Sequence, residues 1–290
     1  MTTRLLTQEF DYSAPLSVQA VYPLLCEGAR VLAGGTDLIV KMKSADLRVD
    51  RIIDTRNIHE LSFVHKNGNG LEIGALVKLS ALEKSKEVTP YHALYEALPL
   101  MASVAVRNMG TLGGNIANAS PAADTACPMI VYNAEVHLGS VDGIRSVALK
   151  DFFLAPGESV MKPNEMIQLF LLPAPSENSG SCFIKKTRVR PDIAKISATV
   201  HVQRKDDRIE SCALAMGSVA PTPLLMDELA KDFAGQKATE QLFEKAACAV
   251  SAAIKPIDDN RSTAEYRTQV AKVIVAEAFA NAWKRSGGSL

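Results

Sequence analysis

The chain has 290 residues, enough for a sizeable hydrophobic core and for more than one domain. Its 47% hydrophobic and 22% charged residues are typical of a globular protein, and 32 basic side chains balance 32 acidic ones. A chain without net charge has no overall field that attracts nucleic acid or an anionic membrane, and its apolar runs are too short to span a bilayer. We therefore expect no nucleic-acid partner and no membrane insertion.

The N-terminus and the cysteines both indicate a cytoplasmic protein. The segment Met1–Leu6 has no apolar stretch of the length found in signal peptides, and acidic residues follow it soon. The five cysteines, at positions 26, 127, 182, 212 and 248, are odd in number and widely spaced. That spacing argues against a disulfide framework and against a Cys-x-x-Cys metal site.

Short alternating elements are predicted for residues 1–56, the first of three predicted domains. They are a helix from Ser17 to about Cys26, a buried strand Arg30–Ala33, a helix that opens at Thr36 after Gly34-Gly35, and a strand Arg51–Asp54. Strand, glycine turn, helix and strand in this order indicate a small βαβ unit.

The second predicted domain, residues 57–175, has the pattern of a sheet with interspersed helices. The segment Asn67–Gly70 between two apolar runs is a strong hairpin signal. The predicted elements are the strands Leu61–His65, Leu71–Gly74, Ala134–Leu138 and Met166–Leu172 and a helix from His92 to about Met101. Pro173–Gly180 is the best candidate for a linker.

The third predicted domain, residues 181–290, begins with strands and ends with helices. Two antiparallel strands, Ser197–Gln203 and Ile209–Gly217, are joined by the polar turn Lys205–Arg208. Helices are expected at about Leu224–Phe233, Glu240–Ala253 and Ala264–Lys284. The sequence therefore predicts an α+β chain whose C-terminal domain is an antiparallel sheet followed by helices.

The first of two glycine-glycine loops is Val31–Leu38. Two adjacent glycines let the backbone adopt positive φ and approach a ligand without a Cβ in the way. The N-terminus of the following helix presents unpaired N–H groups and the positive end of its dipole, which together suit a phosphate. The alternative interpretation is a plain tight turn capped by Thr36 or Asp37.

The second loop, Arg107–Asn115, again carries two adjacent glycines, preceded by the hydroxyl of Thr111 and followed by the amide of Asn115. Asp124 lies nine residues further on. A carboxylate there would accept a hydrogen bond from a ribose hydroxyl or a ring N–H. The alternative is that Asp124 caps the helix of the apolar stretch that it opens.

Neither loop contains the Gly-x-Gly-x-x-Gly pattern, and the sequence has no Gly-x-x-x-x-Gly-Lys-Ser/Thr motif. A Rossmann dinucleotide site and a nucleoside-triphosphatase phosphate loop are therefore not supported. Two separate glycine-glycine loops suit one diphosphate held from two sides. The five histidines show no ligand spacing, so no metal site is expected.

The two loops resemble those of a known family. Ala33–Leu38 and Thr111–Asn115 are similar to the two FAD-binding signatures of the flavoprotein subunits of molybdenum hydroxylases of the xanthine dehydrogenase and carbon monoxide dehydrogenase type. Further similarities follow in the family's order, at Val106–Asn108, Ser120–Asp124, Phe183–Lys185 with Arg188 and Asp192-Ile-Ala, and Gly217–Pro223. The resemblance implies a two-subdomain FAD-binding fold of the vanillyl-alcohol oxidase kind, followed by the C-terminal domain of these subunits.

The resemblance also implies which residues hold the FAD. The two loops would contact its diphosphate and ribityl chain, and Asp124 would lie at the ribityl or flavin end. Ile167 corresponds to a residue whose backbone meets the isoalloxazine ring, and Met101 to one that is aromatic in some relatives. Lys185 corresponds to a lysine near the flavin N1–C2=O edge, where a cation stabilises the reduced flavin; its neighbour Lys186 and a solvated strand lysine are the alternatives. The whole predicted site is Val31, Leu32, Ala33, Gly34, Gly35, Thr36, Asp37, Leu38, Met101, Thr111, Leu112, Gly113, Gly114, Asn115, Asp124, Ile167 and Lys185.

An electron-transfer subunit is the function that the resemblance implies. In such a complex a substrate is oxidised at molybdenum, and electrons pass through [2Fe–2S] clusters to FAD and then to NAD or another acceptor. The cluster motifs and the molybdopterin domain are absent from this sequence, so we expect them on a small and a large partner subunit, typically in a heterotrimer. Scattered cysteines predict no iron–sulfur cluster on this chain.

Two questions stay open at this point. The segment Ser120–Asp124 slightly favours the xanthine dehydrogenase branch of the family, but the substrate and the acceptor are not encoded in this chain. The alternative function is a stand-alone FAD-dependent oxidoreductase with the same two-loop fold.

Overall fold

The computed structural model describes residue 6 and residues 8–290. Residues 1–5 and 7 lie outside the described residues. Most of the segment Met1–Leu6, for which no signal peptide is expected, is therefore not described. Within the described part, no helix has both the length and the apolar character needed to cross a membrane.

A three-stranded parallel sheet occupies the first part of the chain. Its strands are β1 (Asp11–Ser13), β2 (Ala29–Leu32) and β3 (Arg51–Asp54), in the order β1-β3-β2. Its helices are α1 (Val18–Val21), which a 3-10 turn extends through Leu24, and α2 (Leu38–Lys43). The side chain of Ser17 caps α1 by accepting from the N–H of Ala20. The predicted βαβ unit is confirmed as β2-α2-β3, although α2 begins at Leu38 and not at Thr36.

A five-stranded antiparallel sheet forms the middle of the chain. Its strands are β4 (Val64–Asn67), β5 (Gly70–Gly74), β6 (Glu135–Ser140), β7 (Gly143–Ala148) and β10 (Met166–Pro173), in the order β4-β5-β10-β6-β7. The short strands β8 (Phe153–Ala155) and β9 (Glu158–Ser159) pair separately. The predicted hairpin is confirmed, although its first strand begins at Val64 and not at Leu61, which belongs to a 3-10 turn. The side chain of Asn67 closes the hairpin turn by accepting from the N–H groups of Asn69 and Gly70.

Five short helices cover this sheet and build the largest hydrophobic core. They are α3 (Leu79–Lys84), α4 (His92–Ala97), α5 (Val104–Met109), α6 (Leu112–Ala117) and α7 (Ala126–Val131). The central strand β10 contributes Phe170 and Leu172, which lie on the same face of the strand and are both fully buried. The predicted helix from His92 is confirmed, with a 3-10 turn through Leu100 as its last part.

The C-terminal part has a four-stranded antiparallel sheet with helices packed on one face. The strands are β11 (Ser179–Lys186), β12 (Ile196–Lys205), β13 (Arg208–Gly217) and β14 (Leu224–Leu225), in that order, and the helices are α8 (Asp227–Lys231), α9 (Glu240–Ala253) and α10 (Ala264–Arg285). The prediction of a helix from Leu224 was wrong at its start. Leu224 and Leu225 pair with the edge of β13, which satisfies their backbone groups, and the helix begins at Asp227. The predicted α+β class, with sheet before helices at the C-terminus, is confirmed.

Strand β11 joins the C-terminal sheet to the middle of the chain. The hydroxyl of Ser181 accepts from the N–H of Ala93 at 2.9 Å and hydrogen-bonds with the hydroxyl of Tyr132. The N–H of Phe183 donates to the carboxylate of Glu96 at 2.9 Å. These contacts fix the orientation of β11, and Lys185 near its end is thereby directed towards the interior.

Candidate functional site

A cavity of about 970 Å³ lies where the three sheets and their loops approach one another. Fourteen of the seventeen residues of the predicted site line it: Val31, Ala33, Gly34, Gly35, Thr36, Asp37, Leu38, Met101, Thr111, Gly113, Gly114, Asn115, Asp124 and Ile167. Segments up to 136 positions apart in the sequence, from Val31 to Ile167, thus meet around one space. The volume is near the upper end of the range for small-molecule sites.

Three residues of the predicted site do not line the cavity. The side chain of Leu32 packs with Met42, Val49 and Ile52, and that of Leu112 is fully buried in the core of the middle sheet. Lys185 lies behind the cavity wall. Leu32 and Leu112 anchor the two loops to the cores from which these loops project.

The first loop presents free backbone donors. Gly35 adopts a φ of +71°, and the backbone N–H groups of residues 34–37 donate to no acceptor within the described chain. No side chain caps the N-terminus of α2, so the loop differs from the capped turn that was the alternative interpretation. A Cβ on Gly34 would lie 2.4 Å from the carbonyl oxygen of Met109, so glycine is required here for the two loops to pack together.

Most N–H donors of the second loop already have acceptors within the protein. The N–H groups of Leu112 and Gly113 donate to the carbonyls of Val77 and Ala75, and that of Gly114 donates to the hydroxyl of Thr111 at 3.1 Å. A Cβ on Gly113 would lie 2.7 Å from the Ala75 carbonyl oxygen, whereas a Cβ on Gly114 would meet only the Thr111 hydroxyl, at 3.0 Å. The second loop therefore offers a backbone surface without side chains at its glycines, while the first loop offers hydrogen-bond donors.

Asp124 and Lys185 form a buried ion pair at one end of the cavity. The Nζ of Lys185 donates to Oδ2 of Asp124 at 2.7 Å and to the carbonyl of Leu100 at 3.1 Å, and its side chain is only 2% exposed. Oδ1 of Asp124 is buried and has no partner among the described residues. Burial raises the pKa of Asp124 to about 6, against the opposing effect of Lys185. Asp124 is thus the member of the pair that lines the cavity, and one of its carboxylate oxygens is an unused acceptor.

This geometry excludes two alternatives considered for these residues. Helix α7 begins after Thr125 with no side-chain cap, so Asp124 is not an N-cap. Lys185 is not a solvated strand residue, because its ammonium group is enclosed by Asp124 and Leu100. It is Lys185 and not Lys186 that reaches Asp124.

Comparison with known proteins identifies the family. Residues 8–175 match the FAD-binding domain in molybdopterin dehydrogenase, and residues 181–282 match the CO dehydrogenase flavoprotein C-terminal domain. The chain is similar to the glyceraldehyde dehydrogenase medium chain of Sulfolobus acidocaldarius, with 33% identity over 93% of this chain and 97% of that one. The carbon monoxide dehydrogenase medium chain of Afipia carboxidovorans is 31% identical over 96% and 98% of the two chains. The solved structure of carbon monoxide dehydrogenase from Hydrogenophaga pseudoflava superimposes with a TM-score of 0.92, at 30% identity, over 97% of this chain and 99% of that chain. This chain is an FAD-binding subunit of the molybdenum hydroxylase family.

The cavity of this flavoprotein subunit has the features that FAD requires. A diphosphate needs N–H donors and close backbone approach, which the first and second loops supply. The flavin and ribityl portions carry N–H and O–H donors, for which Oδ1 of Asp124 is an unused acceptor. No group of three or more potential metal ligands occurs among the residues that the structure describes.

Sequence reasoning missed one component of the cavity wall. Ala102 lines the cavity with a φ of +41°, and the guanidinium of Arg107 donates to the carbonyls of Met101 at 2.7 Å and of Ala102 at 3.1 Å. The same guanidinium is paired with Glu83 on α3. Arg107 was part of a matched motif, Val106–Asn108, but nothing in the sequence indicated which backbone carbonyls it holds.

Proposed function

We propose that FAD occupies this cavity, held by the seventeen residues of the predicted site, and that the chain is the electron-transfer subunit of a larger complex. The observation that carries this proposal is that residues 34–37, with their free N–H donors, and Asp124, with its unpaired carboxylate oxygen, line one cavity. The two loops would hold the diphosphate, and Asp124, Met101 and Ile167 would hold the flavin end. Leu32, Leu112 and Lys185 do not line the cavity and instead support the residues that do.

The side chains at the Asp124 end bind and orient the ring. The free Oδ1 accepts from a ring N–H or a ribityl hydroxyl, and the ammonium of Lys185 keeps this carboxylate charged despite its burial. Met101 and Ile167, which are 4% and 6% exposed, exclude water from this end. Lys185 therefore acts on this end of the cavity through Asp124, whose charge it balances.

When bound, FAD supplies the redox chemistry, taking electrons from [2Fe–2S] clusters of a small partner subunit and passing them to NAD or another acceptor. The substrate is oxidised on a large molybdopterin subunit, in a heterotrimer. We place the complex in the cytoplasm, since all five cysteines of this chain are free. The division into domains at residues 1–56, 57–175 and 181–290 belongs to the same proposal.

Within the family, Ser120–Asp124 slightly favours a xanthine dehydrogenase-type complex. Relatives of this chain include a putative xanthine dehydrogenase FAD-binding subunit of Escherichia coli, 28% identical over 90% of this chain. Turnover of xanthine by the purified complex, coupled to NAD reduction, would support this assignment. Oxidation of only an aldehyde or of carbon monoxide would contradict it.

Replacement of Gly114 with valine tests the FAD site. The new side chain would project beside the Thr111 hydroxyl, at a position where the ligand approaches the backbone. We expect the purified complex to lose its yellow colour and to bind FAD at least about tenfold more weakly, while the chain still folds. Gly68→Val is the matched control, because a Cβ on Gly68 has no atom within 4 Å.

Two results would contradict the proposal. A normal FAD content in Gly114→Val would mean that the second loop is only a turn. A complex that is isolated with its partner subunits but contains no flavin, even after incubation with FAD, would disprove FAD binding altogether. Activity of the isolated chain without partners would instead favour the stand-alone oxidoreductase.

A further inference from the structure

The lining of the cavity carries more acidic than basic residues, although the proposed ligand is an anion. Among the described residues that line it, seven are acidic and three are basic: Glu27, Asp37, Asp46, Asp124, Glu158, Glu165 and Asp192 against Arg30, Lys41 and Lys162. Three of the acids are neutralised by basic residues outside the lining, Asp124 by Lys185, Glu165 by Arg145 and Asp192 by Arg188. The other carboxylates would repel a diphosphate unless a cation lies beside it.

Lys41 is the cation placed between the two glycine loops. It lies on α2, which follows the first loop, and its Nζ donates to Oδ1 of Asn118 at 2.7 Å. Asn118 is the C-cap of α6, the helix that carries Gly113 and Gly114 of the second loop. This hydrogen bond joins residues 77 positions apart and connects the two loop-bearing helices within the cavity wall. Arg30 and Lys162 also line the cavity, but both are exposed.

The amide of Asn118 fixes the position of this ammonium group. Its Nδ2 donates to Oδ1 of Asp37 at 3.2 Å while its Oδ1 accepts from Lys41, so both ends of the amide are used. Asn118 thereby stands between the carboxylate of Asp37 and the ammonium of Lys41. An ammonium group has three N–H donors, and the bond to Asn118 uses one of them. Two donors stay available for oxygen atoms in the cavity.

We infer that Lys41 binds the diphosphate of the flavin dinucleotide and that Asn118 is the positioning residue that holds it there. This inference rests on the proposed function. The free N–H groups of residues 34–37 and the ammonium of Lys41 come from the same loop and helix, and so they approach the diphosphate from one side. The second loop, whose N–H donors mostly have acceptors within the protein, closes the other side with its backbone.

The test is FAD rebinding to the whole purified complex after its flavin has been removed, followed by quenching of FAD fluorescence at several salt concentrations. Lys41→Met should raise the Kd for FAD by about tenfold or more and flatten its salt dependence, because a charge-assisted hydrogen bond is lost. Lys41→Arg, which keeps the charge, should restore most of the affinity. Lys43→Met, an exposed lysine of the same helix, should bind FAD like the unmodified complex.

Asn118→Ala distinguishes the effect of the Lys41 charge from the effect of the hydrogen bond that links the two helices. It removes the link between the helices but leaves the ammonium group, so its effect on the Kd should be clearly smaller than that of Lys41→Met. An equal effect would mean that Lys41 only braces the two helices, and the inference would be overturned. Wild-type affinity and salt dependence in Lys41→Met would overturn it too. If Lys41→Met lowers the melting temperature of the flavin-free complex, Lys41→Gln replaces it, with the same expected and contrary results.

Failure of the proposed function gives a different result from failure of this inference. If FAD does not bind to the unmodified complex at all, the cavity is not an FAD site, and both the proposed function and the role of Lys41 are overturned. If the unmodified complex binds FAD and only the Lys41 variants are unaffected, the proposed function stands and the inference alone fails.

Discussion

At the scale of single residues, the Asp124–Lys185 pair controls the chemistry of one end of the cavity. Both side chains are almost completely buried, 9% and 2% exposed, and each charge depends on the other for its stability. Asp124 still has an acceptor to offer, because Lys185 uses only one of its carboxylate oxygens. The pair is therefore poised to bind a donor without exposing an isolated charge to the protein interior.

We predict that Lys185→Met destabilises the protein by about 3 kcal/mol or more at pH 8, because it leaves a buried carboxylate without its partner. The double variant Lys185→Met with Asp124→Asn should recover at least half of this loss. Urea unfolding of the purified proteins measures both values. Lys186→Met on the same strand is the control, and an equal loss there would show that the Asp124 pair is not the cause.

The pH dependence of this variant follows from the pKa of Asp124. Burial raises that pKa from 3.8 to about 6, and removal of Lys185 raises it further, because Lys185 opposes the effect of burial. A carboxyl group with a raised pKa in the folded protein stabilises it fully below the unfolded pKa, and this contribution is lost as the pH rises through the folded pKa. Lys185→Met should therefore lose less stability at pH 5 than at pH 8.

At the scale of structural elements, the cavity wall is stabilised by side-chain contacts between short helices. Arg107 on α5 pairs with Glu83 on α3 and donates to the carbonyls of Met101 and Ala102, which precede α5. Ala102 needs this support because its φ of +41° is unfavourable for a residue with a Cβ. One guanidinium thus fixes a strained segment in the wall of the proposed flavin site.

Arg107→Met should destabilise the protein by about 3 kcal/mol, because two carbonyls lose a charged donor and Glu83 loses its partner. It should also loosen the Met101–Ala102 wall, so that the absorption band of the bound flavin shifts. Arg190→Met, at an exposed arginine, is the control for a simple loss of charge. A destabilised variant with an unchanged flavin spectrum would show that Arg107 supports the fold and not the site.

At the scale of the whole molecule, the Asp124–Lys185 pair beside the cavity forms because the C-terminal sheet is fixed against the middle of the chain. Ser181 on β11 bonds to the N–H of Ala93 and to the hydroxyl of Tyr132, and Arg285 on α10 donates to the carbonyl of Ser181 and to Glu96. These contacts set the direction of β11 and so bring Lys185 to Asp124. The FAD-binding domain and the C-terminal domain are therefore coupled at the proposed flavin end.

Ser181→Ala should lower the free energy of unfolding by about 2 kcal/mol, since a buried N–H and a buried hydroxyl lose their partner. Calorimetry should show that both parts of the molecule melt earlier and together. The control is Ser179→Ala on the same strand, whose hydroxyl bonds only to the nearby carbonyl of Ser176. Two separate transitions in the unmodified protein would contradict the coupling.

The sequence by itself determined the features that depend on local chemistry. The βαβ unit, the hairpin at Asn67–Gly70, the helices Glu240–Ala253 and Ala264–Arg285 and the α+β class all followed from periodicity, turn residues and caps. The two glycine-glycine loops and their order along the chain pointed to FAD and to the family. Such signals are readable because they lie within a few residues of each other.

Only the tertiary structure decided how these features combine. It showed that the two loops are unequal, one supplying donors and the other a close backbone surface, because their neighbours at Met109 and Ala75 lie far away in the sequence. It showed that Leu224 and Leu225 form an edge strand and that Lys185 forms an ion pair with Asp124. The link between Lys41 and Asn118 spans 77 residues. Side-chain contacts over such separations depend on the packing of whole elements, which no local pattern encodes.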